Sequence, residues 1–501
     1  MAEKLDALNA HLAKVIDLRH AAAVLGWDQE VNMPEDGVGP RSHQLATLSS
    51  MAHEMATSDE IGHLLEAAEA EVEGMDYDSD EASAVRVSRR VFDQFTKIPT
   101  ELVQRESMAT SRGFVAWRKA RAADDYSLFQ DNLAELIDIQ VEKAEHLGYD
   151  EHPYDALVDQ FETGITTAQV TALFSDLKAG LVPLVREIAA KPEIESAFLD
   201  EGHFDQQKQW DFSLLLLRDI GYDFSKGRLD RAPHPFTTEF GNSDVRVTTR
   251  VFEDNPRSAI FGSVHEGGHA LYELGSPDKF ERTPLAGGAT LGLHESQSRL
   301  WENQVARSLP FWRRHFPIMR AFFQDQLGGV SLNQFHRAIN KVQPSLIRVE
   351  ADEVTYNMHI FVRFELEQAM VTGDLKVADV PDAWNAKYEE YLGITPPSDA
   401  DGCLQDIHWS HGTIGYFPTY CLGNLMSAQI FAQAKTELPG LEEGFTRGEF
   451  APLLLWLRER VHKHGRKFTA PELMKREFDV ELSAQPLLAY LREKYTGLYE
   501  L

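Results

Sequence analysis

The segment that most constrains this chain is His265-Glu266-Gly267-Gly268-His269, an H-E-x-x-H pattern. On an α-helix, residues four apart lie about one turn above each other on one face, so the two imidazoles can reach the same metal ion. Glu266 projects from an adjacent part of that helix, too far round to be the natural third ligand but near enough to reach a water on the metal. The pattern therefore predicts a helix that carries two metal ligands and a candidate general base.

The flanking sequence supports a helix, although two consecutive glycines in a helix interior each cost roughly 1 kcal/mol relative to alanine. Asn255 followed by Pro256 is typical of an N-cap and a first helical position, and Gly275 stands where a left-handed C-cap is expected. Glycines inside a buried helix let another backbone approach closely, here a strand or a substrate. Between the two ends, apolar residues recur at helical spacing and can bury one side: Ile260, Phe261, Val264, Leu271 and Leu274.

A site with two histidines needs a third protein ligand, because zinc in hydrolases usually takes three side chains and leaves a fourth position for water. The next suitable cluster follows the turn at Gly287-Gly288 and has the pattern of a second helix. Glu295 lies in that cluster at a spacing that suits a ligand delivered by the following helix. We predict Glu295 as the third ligand, with His294 and Glu302 as the competitors.

Composition limits the classes of function. The chain has 501 residues, 43% of them hydrophobic, and can bury a large core. Its net charge of -30 argues against nucleic acid, because a phosphate backbone attracts clustered lysine and arginine. The N-terminal segment lacks the pattern of a secretory signal, and the longest apolar run, Leu214 to Leu217, is far too short to span a bilayer. Only Cys403 and Cys421 are present, so we expect a reducing, cytoplasmic compartment and no membrane segment.

Helical periodicity dominates most of the sequence. Residues 1–150 have the pattern of long helices joined by short polar turns, which predicts a helical wall over the metal site rather than an independent domain. Residues 229–254 instead alternate with a period of two and predict a small antiparallel β-sheet just before the metal helix. Residues 255–420 would then form the catalytic core. We predict a mainly α fold in a single domain over residues 1–501.

Several short motifs occur in order along the chain. They are Leu25-Gly26-Trp27-Asp28, His234-Pro235-Phe236, Asp244-Val245-Arg246-Val247-Thr248, His265-Glu266-Gly267-Gly268-His269, His294-Glu295-Ser296-Gln297, Ile347-Arg348-Val349-Glu350-Ala351-Asp352, and Gly402-Cys403-Leu404-Gln405-Asp406-Ile407-His408-Trp409. Together they resemble the Taq family of thermostable metallocarboxypeptidases, and the resemblance spans nearly the whole chain.

The resemblance implies a mainly α, neurolysin-like fold with a deep groove, a homodimer, and removal of single residues from peptides with a free C-terminus. It places the zinc ligands at His265, His269 and Glu295 and the general base at Glu266. Spacing and chemistry lead to the same four residues. We expect one Zn²⁺ per chain, although imidazole and carboxylate ligands also accept Co²⁺ or Mn²⁺.

An enzyme that acts at C-termini needs a group that recognises a free carboxylate. Arg348 is the first choice and Arg246 the second, because a guanidinium binds a carboxylate through two parallel hydrogen bonds. The alternative for each arginine is a structural ion pair, with Asp352 or Asp244 as near neighbours in sequence.

Three further residues complete the predicted substrate-binding set. Tyr420 or His408 could supply the donor that holds the oxyanion, although each could equally serve only in packing. His234 belongs to the His-Pro-Phe motif and is included with them.

Two other functions are compatible with the same pattern. An oligopeptidase that cuts internal bonds would use identical chemistry, because H-E-x-x-H does not fix the position of cleavage. A metal-bound scaffold without turnover is the second alternative, and the presence of Glu266 argues against it because such a site has no use for a base. Resistance of peptides with an amidated C-terminus distinguishes a carboxypeptidase from an oligopeptidase.

Overall fold

The computed structural model describes residues 3–501, and most of this range is α-helical, as predicted. The helices are α1 (Glu3–Val31), α2 (Val38–Ala56), α3 (Asp59–Val72), α4 (Asp80–Thr96), α5 (Thr100–Ala123), α6 (Ser127–Leu147), α7 (Pro153–Val158), α8 (Thr167–Ala189), α9 (Ala197–Asp200), α10 (Gln206–Ile220), α11 (Pro256–Glu273), α12 (Leu291–Arg299), α13 (Leu309–Phe322), α14 (Gln324–Leu327), α15 (Leu332–Ile339), α16 (Tyr356–Thr372), α17 (Val380–Leu392), α18 (Pro418–Glu437), α19 (Leu441–Arg447), α20 (Ala451–Arg460), α21 (Ala470–Phe478) and α22 (Gln485–Tyr499). The strands are β1 (Leu229–Arg231), β2 (Thr237–Glu239) and β3 (Val245–Thr249).

The described chain divides into two compact units, each built from three separate stretches of sequence. The first unit contains the described residues up to Phe95, then Glu195–Ile339 and Ile430–Val480. The second contains Thr96–Ile194, Asn340–Gln429 and Glu481–Leu501. The expectation of one domain with a helical wall, a sheet and a catalytic core stays a prediction.

Helices α1, α3 and α4 share one apolar cluster in the first unit. Leu5 and Leu8 lie three apart on α1, and Ile61, Leu65 and Ala68 lie on one face of α3, which is the spacing of an amphipathic helix. These side chains are almost completely buried. Burying each leucine contributes roughly 1.5–3 kcal/mol relative to leaving it exposed, so this cluster holds the N-terminal helices together.

The three strands form one small sheet in the order β1-β3-β2. Strand β2 pairs antiparallel with β3, with Thr238 opposite Arg246, as the sequence predicts for this region. Strand β1 pairs parallel with β3, so the sheet is mixed rather than wholly antiparallel. Strands β1 and β2 run in opposite directions, so the chain reverses between them, and each strand pairs with one side of β3. Strand β2 lies at an edge of the sheet.

Helix α11 packs on this sheet through the buried face of β3. Val245 and Val247 are completely buried there, and the Thr249 hydroxyl donates a hydrogen bond of 3.4 Å to the carbonyl of Ala259 on α11. The sheet therefore fixes the position of the helix that carries the H-E-x-x-H pattern.

The second unit is organised around α16, which is buried on nearly all sides. Three of its polar residues are fully buried and hydrogen-bonded: Arg363 to Asp406, Glu367 to Tyr154, and His359 to Tyr388. Buried polar groups are costly unless they are paired, so α16 requires these partners from elsewhere in its unit.

One described helix, α8, is long and apolar enough to cross a membrane, with a mean hydropathy of 1.2 over its most apolar window. Its buried residues lie on one face, and Lys178 on that helix forms an ion pair of 2.7 Å with Glu365. An amphipathic pattern with a charged contact of this kind is typical of a helix packed in a protein core.

Candidate metal centre

Helix α11 presents both histidines of the H-E-x-x-H pattern on one face. The helix begins at Pro256 after Asn255, as predicted, and the rings of His265 and His269 lie 5.0 Å apart between centroids. The helix ends at Glu273 with Leu274 in a right-handed conformation, so the prediction of a left-handed cap at Gly275 is wrong. Gly275 is instead a site of close approach, because a Cβ there would lie 2.3 Å from Nδ1 of His462.

The two glycines of the pattern make room for neighbouring helices. A Cβ on Gly268 would lie 2.6 Å from Cα of Ser298 on α12, and one on Gly267 would lie 2.7 Å from Leu217 on α10. The close approach predicted from these glycines therefore comes from two helices of the protein itself. It brings the backbone of α12 directly against the metal helix.

Helix α12 delivers Glu295 to the two imidazoles. The hydroxyl of Thr290 caps the start of α12 by accepting a hydrogen bond of 3.1 Å from the backbone N–H of Leu293. Oε2 of Glu295 lies 3.5 Å from Nε2 of His265 and 3.4 Å from Nε2 of His269. Ligand atoms about 2.0–2.2 Å from a tetrahedral zinc ion lie roughly 3.4 Å from one another, so this spacing suits such an ion.

The competing third ligands occupy different places. Glu302 lies 3.0 Å from Nδ1 of His265, and Nδ1 of His294 lies 2.6 Å from Nδ1 of His269. Both competitors therefore meet the imidazole nitrogens that face away from Glu295. Among the described residues, His265, His269 and Glu295 form the only group of His, Cys, Asp or Glu side chains with ligand atoms close enough to hold a metal, all within 4.8 Å of one another.

Glu302 orients His265 from a π-helical turn that continues α12 over Leu300–Ala306. It is also paired with Arg299 at 3.2 Å and with Arg307 at 3.1 Å. Burial opposes ionisation of Glu302, but these arginines outweigh it and hold its pKa well below the usual range. A carboxylate behind a ligating histidine fixes the tautomer and ring orientation and raises the basicity of the ligand.

His294 orients His269 in a different way. Nε2 of His294 lies 2.6 Å from Oε1 of Glu273, so this imidazole bridges His269 and a carboxylate. Burial lowers the pKa of His269 to about 4, which keeps its imidazole neutral, the form that binds metal. Burial also disfavours the charged form of His294, yet the hydrogen bond that it donates to Glu273 raises its pKa.

Glu295 is held in its ionised form. Burial opposes the charge, but Arg299 and the two histidines lower the pKa of Glu295 well below its usual range. Arg299 donates to Oε1 at 2.6 Å, and the hydroxyl of Ser298 donates to Oε2 at 2.9 Å. Because Arg299 occupies Oε1, the other oxygen is left to face the imidazoles.

Glu266 lies beside these ligands and is anchored to the edge strand of the sheet. The hydroxyl of Thr237 on β2 donates to its Oε2 at 2.8 Å. The side chain is 7% exposed, and burial raises its pKa above the ordinary value. A carboxylate with a raised pKa is a better proton acceptor near neutral pH than an ordinary glutamate.

The other two predicted residues of the first unit lie in simpler surroundings. Arg246 pairs with Asp244 through two hydrogen bonds of 2.9 and 2.8 Å. Its guanidinium also lies over the rings of Trp27, at 4.3 Å, and Phe240, at 4.8 Å. His234 is exposed on the loop between β1 and β2. The structural ion pair considered for Arg246 is therefore present.

Arg348, His408 and Tyr420 come together in the second unit. Arg348 donates to Oδ1 of Asp406 at 3.1 and 2.9 Å, and Arg363 donates to the other oxygen of Asp406 at 2.5 Å. The guanidinium of Arg348 lies 5.0 Å from the centre of the Tyr420 ring. Nδ1 of His408 lies 3.9 Å from Asp406, and burial lowers the pKa of His408 to about 4. We call Arg348, Arg363 and Asp406 the arginine cluster.

The ion-pair partner considered for Arg348 was wrong. Asp352 accepts hydrogen bonds from the backbone N–H groups of Gln343, Val354 and Thr355 and so organises the turn before α16. The partner is Asp406, 58 residues away in sequence. The signal available in the sequence was the place of Asp406 in the Gly402 to Trp409 motif. Periodicity, however, does not show which residues of two separate loops form a pair.

Two helices that bring three potential metal ligands together, with a buried glutamate beside them, have the arrangement of a metal-dependent peptidase. The sequence profile of the Carboxypeptidase Taq (M32) metallopeptidases matches residues 7–495. The chain belongs to this family, and it is accordingly a metallocarboxypeptidase, a hydrolase of peptide bonds. The predicted resemblance is therefore confirmed.

Relatives cover nearly the whole chain. Thermostable carboxypeptidase 1 of Thermus thermophilus is 44% identical over 492 residues, 96% of each chain. Carboxypeptidase 1 of Bacillus subtilis is 39% identical and covers 98% of this chain and 97% of its own. The crystal structure of an M32 carboxypeptidase from Deinococcus radiodurans superposes on this chain with a TM-score of 0.96. The two sequences are 42% identical, and the match covers 99% of this chain and 100% of that chain.

Proposed function

We propose that this enzyme releases single residues from the C-termini of peptides with one Zn²⁺ held by His265, His269 and Glu295. The observation that carries the proposal is the convergence of Oε2 of Glu295 with both Nε2 atoms at 3.5 and 3.4 Å. Two imidazoles and one carboxylate form a donor set that suits zinc and accepts Co²⁺ or Mn²⁺. A zinc ion bound there would polarise the scissile carbonyl and acidify the attacking water.

Glu266 is the general base in this proposal. Its carboxylate accepts a proton from the attacking water and then donates it to the leaving amine. The hydroxyl of Thr237 holds Oε2 at 2.8 Å, which orients the carboxylate before the substrate arrives. The raised pKa of Glu266 supports both steps, because a stronger base accepts the proton and its acid form still releases it to an amine.

The arginine cluster is the proposed receptor for the free C-terminal carboxylate, with Arg348 as the contact residue. Two guanidinium groups share the single carboxylate of Asp406, which leaves an excess of one positive charge. Arg348 donates one hydrogen bond from each of its three nitrogens, to Asp406 and Tyr356, and a guanidinium has five N–H groups, so two can serve an anion. Arg246 is the weaker candidate, because Asp244 already neutralises it.

The aromatic residues near this cluster are proposed to shape the binding site for the carboxylate. The centre of the His408 ring lies 6.4 Å from that of Tyr420 and 4.6 Å from that of Phe417. Donation to the oxyanion by Tyr420 or His408 stays part of this proposal, as does a role of His234 in binding substrate. A homodimer in a cytoplasmic compartment is likewise proposed, and light scattering of the purified protein tests the dimer.

Digestion of paired peptides tests the function. Peptides of one sequence with a free or an amidated C-terminus are incubated with the enzyme, with and without a chelator. The masses of the products are then measured by mass spectrometry. We expect stepwise loss of single C-terminal residues from the free peptide only, abolished by the chelator and restored by Zn²⁺. Internal fragments in equal yield from both peptides would identify an oligopeptidase instead.

A further inference from the structure

Two buried residues of α16 bind the segment of residues 405–415. Arg363 and Glu367 are four apart in sequence, so they lie on one side of the helix. Arg363 donates to Gln405 at 2.8 Å and to Asp406 at 2.5 Å, at the start of the segment. Glu367 binds the same segment further along, and no step of the proposed mechanism uses this carboxylate.

Glu367 collects three donors from separate parts of the second unit. Its Oε1 accepts a hydrogen bond of 2.8 Å from the indole N–H of Trp409. Its Oε2 accepts one of 2.6 Å from the hydroxyl of Tyr154 on α7 and one of 3.1 Å from the backbone N–H of Gly415. Burial raises the pKa of Glu367 to about 7, and the three donors and Arg363 oppose that shift. Without this carboxylate, three buried donors would lose their acceptor, which is costly.

The 405–415 segment in turn fixes Arg348, the proposed contact for the substrate carboxylate. Oε1 of Gln405 accepts a hydrogen bond of 2.9 Å from the backbone N–H of Arg348. Oδ1 of Asp406 accepts two from its guanidinium, at 3.1 and 2.9 Å. Trp409 follows Asp406 by three residues on a short helical turn, so a displacement of Trp409 also displaces Asp406. The position of Arg348 therefore depends on how the segment is held.

The far end of the segment has little freedom to move alone. Gly415 packs against the backbone of α7, where a Cβ would lie 2.6 Å from the carbonyl carbon of Leu157. Tyr154 on the same helix also donates to Glu367, so α7, α16 and Gly415 meet at one carboxylate. Glu367 thus joins this packed end of the segment to Trp409, which stands near the arginine cluster.

We propose that Glu367 is a positioning residue for recognition of the free C-terminal carboxylate. It holds Trp409 and Gly415 against α16 and does not itself touch the substrate. Asp406 thereby keeps the place from which it orients the guanidinium of Arg348. This inference rests on the proposed function, in which Arg348 binds the C-terminus. Loss of Glu367 should weaken binding of free C-termini and leave metal binding unchanged.

Kinetics with the paired free and amidated peptides test the effect on recognition. In Glu367→Gln, an N–H group replaces one accepting oxygen, so one donor loses its acceptor. We expect the KM for the free peptide to rise about threefold to tenfold, the value of one hydrogen bond, with kcat and metal content unchanged. The ratio of kcat/KM for free over amidated peptide should fall by the same factor. Assays at mildly alkaline pH keep Glu367 ionised in the parent enzyme.

Glu365→Gln is the matched control. Glu365 lies on the same helix and also accepts a hydrogen bond from a tyrosine hydroxyl, that of Tyr391, at 2.7 Å. Its ion pairs are with Lys178 and Lys387, outside the 405–415 segment. We expect no change in the ratio of free to amidated hydrolysis. An equal fall of this ratio in Glu365→Gln and Glu367→Gln would overturn the proposal, because any damage to α16 would then suffice.

A double-mutant cycle tests whether Glu367 acts through Trp409. Glu367→Leu removes both accepting oxygens, and thermal unfolding checks that the variant is folded. Trp409→Phe removes the indole N–H and should raise the KM for the free peptide in the parent enzyme. In the Glu367→Leu background it should add little, because the bond that it breaks is already lost. Fully additive effects would overturn this route of action.

Hydrogen exchange separates the role of Glu367 from the proposed function. Backbone amides of the 405–415 segment should exchange faster in Glu367→Gln and Glu367→Leu than in the parent enzyme or in Glu365→Gln. A parent enzyme without preference for free C-termini refutes the proposed function, and faster exchange then still supports Glu367 as the residue that holds the segment. Unchanged exchange in both Glu367 variants would overturn its role in either kind of enzyme. Unchanged selectivity in both variants of a true carboxypeptidase refutes only that role.

Discussion

The metal centre of the first unit and the arginine cluster of the second are both built from buried charges, but with opposite sign. The metal centre gathers three buried carboxylates, from Glu266, Glu295 and Glu302, against the guanidinium groups of Arg299 and Arg307, while His294 pairs with a fourth, Glu273. The arginine cluster gathers two guanidinium groups against one carboxylate. Buried charge is costly unless it is compensated. The excess in each region therefore indicates what should complete it: a cation in the first and an anion in the second.

Removal of a proposed metal ligand should have the largest effect. His269→Ala leaves one imidazole and Glu295, and we expect metal content to fall from one per chain to near zero. Activity should then fall by roughly 10⁴-fold or more, because both activation of water and stabilisation of charge are lost. Elemental analysis and peptide assays measure the two quantities. His63→Ala, at an exposed histidine, is the control, and a full metal content in His269→Ala would remove this residue from the ligand set.

Glu266→Gln should separate catalysis from metal binding. Glutamine keeps the shape and the hydrogen bond from Thr237 but accepts no proton, so we expect a loss of roughly 10²–10⁴-fold in kcat with one metal per chain retained. Thr237→Val should cost less, about tenfold, because it only loosens the carboxylate. Full activity in Glu266→Gln would show that another group is the base.

Loss of the predicted carboxylate receptor should change selectivity rather than metal binding. In Arg348→Ala, we expect the KM for a peptide with a free C-terminus to rise about 10–100-fold, the value of one charged hydrogen bond. The ratio of free to amidated peptide hydrolysis should fall with it, a change that general structural damage would not produce. Arg246→Ala is the matched comparison. If that variant loses the preference for free C-termini and Arg348→Ala keeps it, the receptor lies at Arg246.

The same two regions show how far the sequence alone could lead. His265, Glu266 and His269 were predictable because helical geometry fixes their relation over four residues. Glu295 followed from the requirement for a third ligand. Helices α11 and α12 are consecutive in the chain, so the close approach of α12 to Gly268 is a contact between neighbouring elements. The roles of Thr237 and Glu302 were not predictable, because one depends on how a strand packs on α11 and the other on a π-helical turn that residue patterns do not reveal.

The arginine cluster was less accessible to prediction. Arg348 was chosen for its chemistry, but its partner Asp406 lies on another loop, and Arg363 lies on the buried helix α16. Nothing in helical or strand periodicity pairs residues so far apart. The mixed pairing of the small sheet escaped prediction for the same reason, because alternation marks strands and does not give the direction of their neighbours.

The smallest predicted effect concerns Gly268, where the packing of the metal centre is tightest. A methyl group there would meet backbone atoms of Ser298 and Gln297, which side-chain rotation cannot relieve, so Gly268→Ala should destabilise the protein by about 1–3 kcal/mol despite the better helix propensity of alanine. Because α12 carries Glu295, metal affinity should also fall, while the preference for a free C-terminus stays. Gly497→Ala, in α22 with open space around its Cβ position, should instead stabilise by up to roughly 1 kcal/mol. Denaturant unfolding of both variants measures this contrast, and equal stability would mean that α12 yields to the methyl group and that the contact does not fix the ligand geometry.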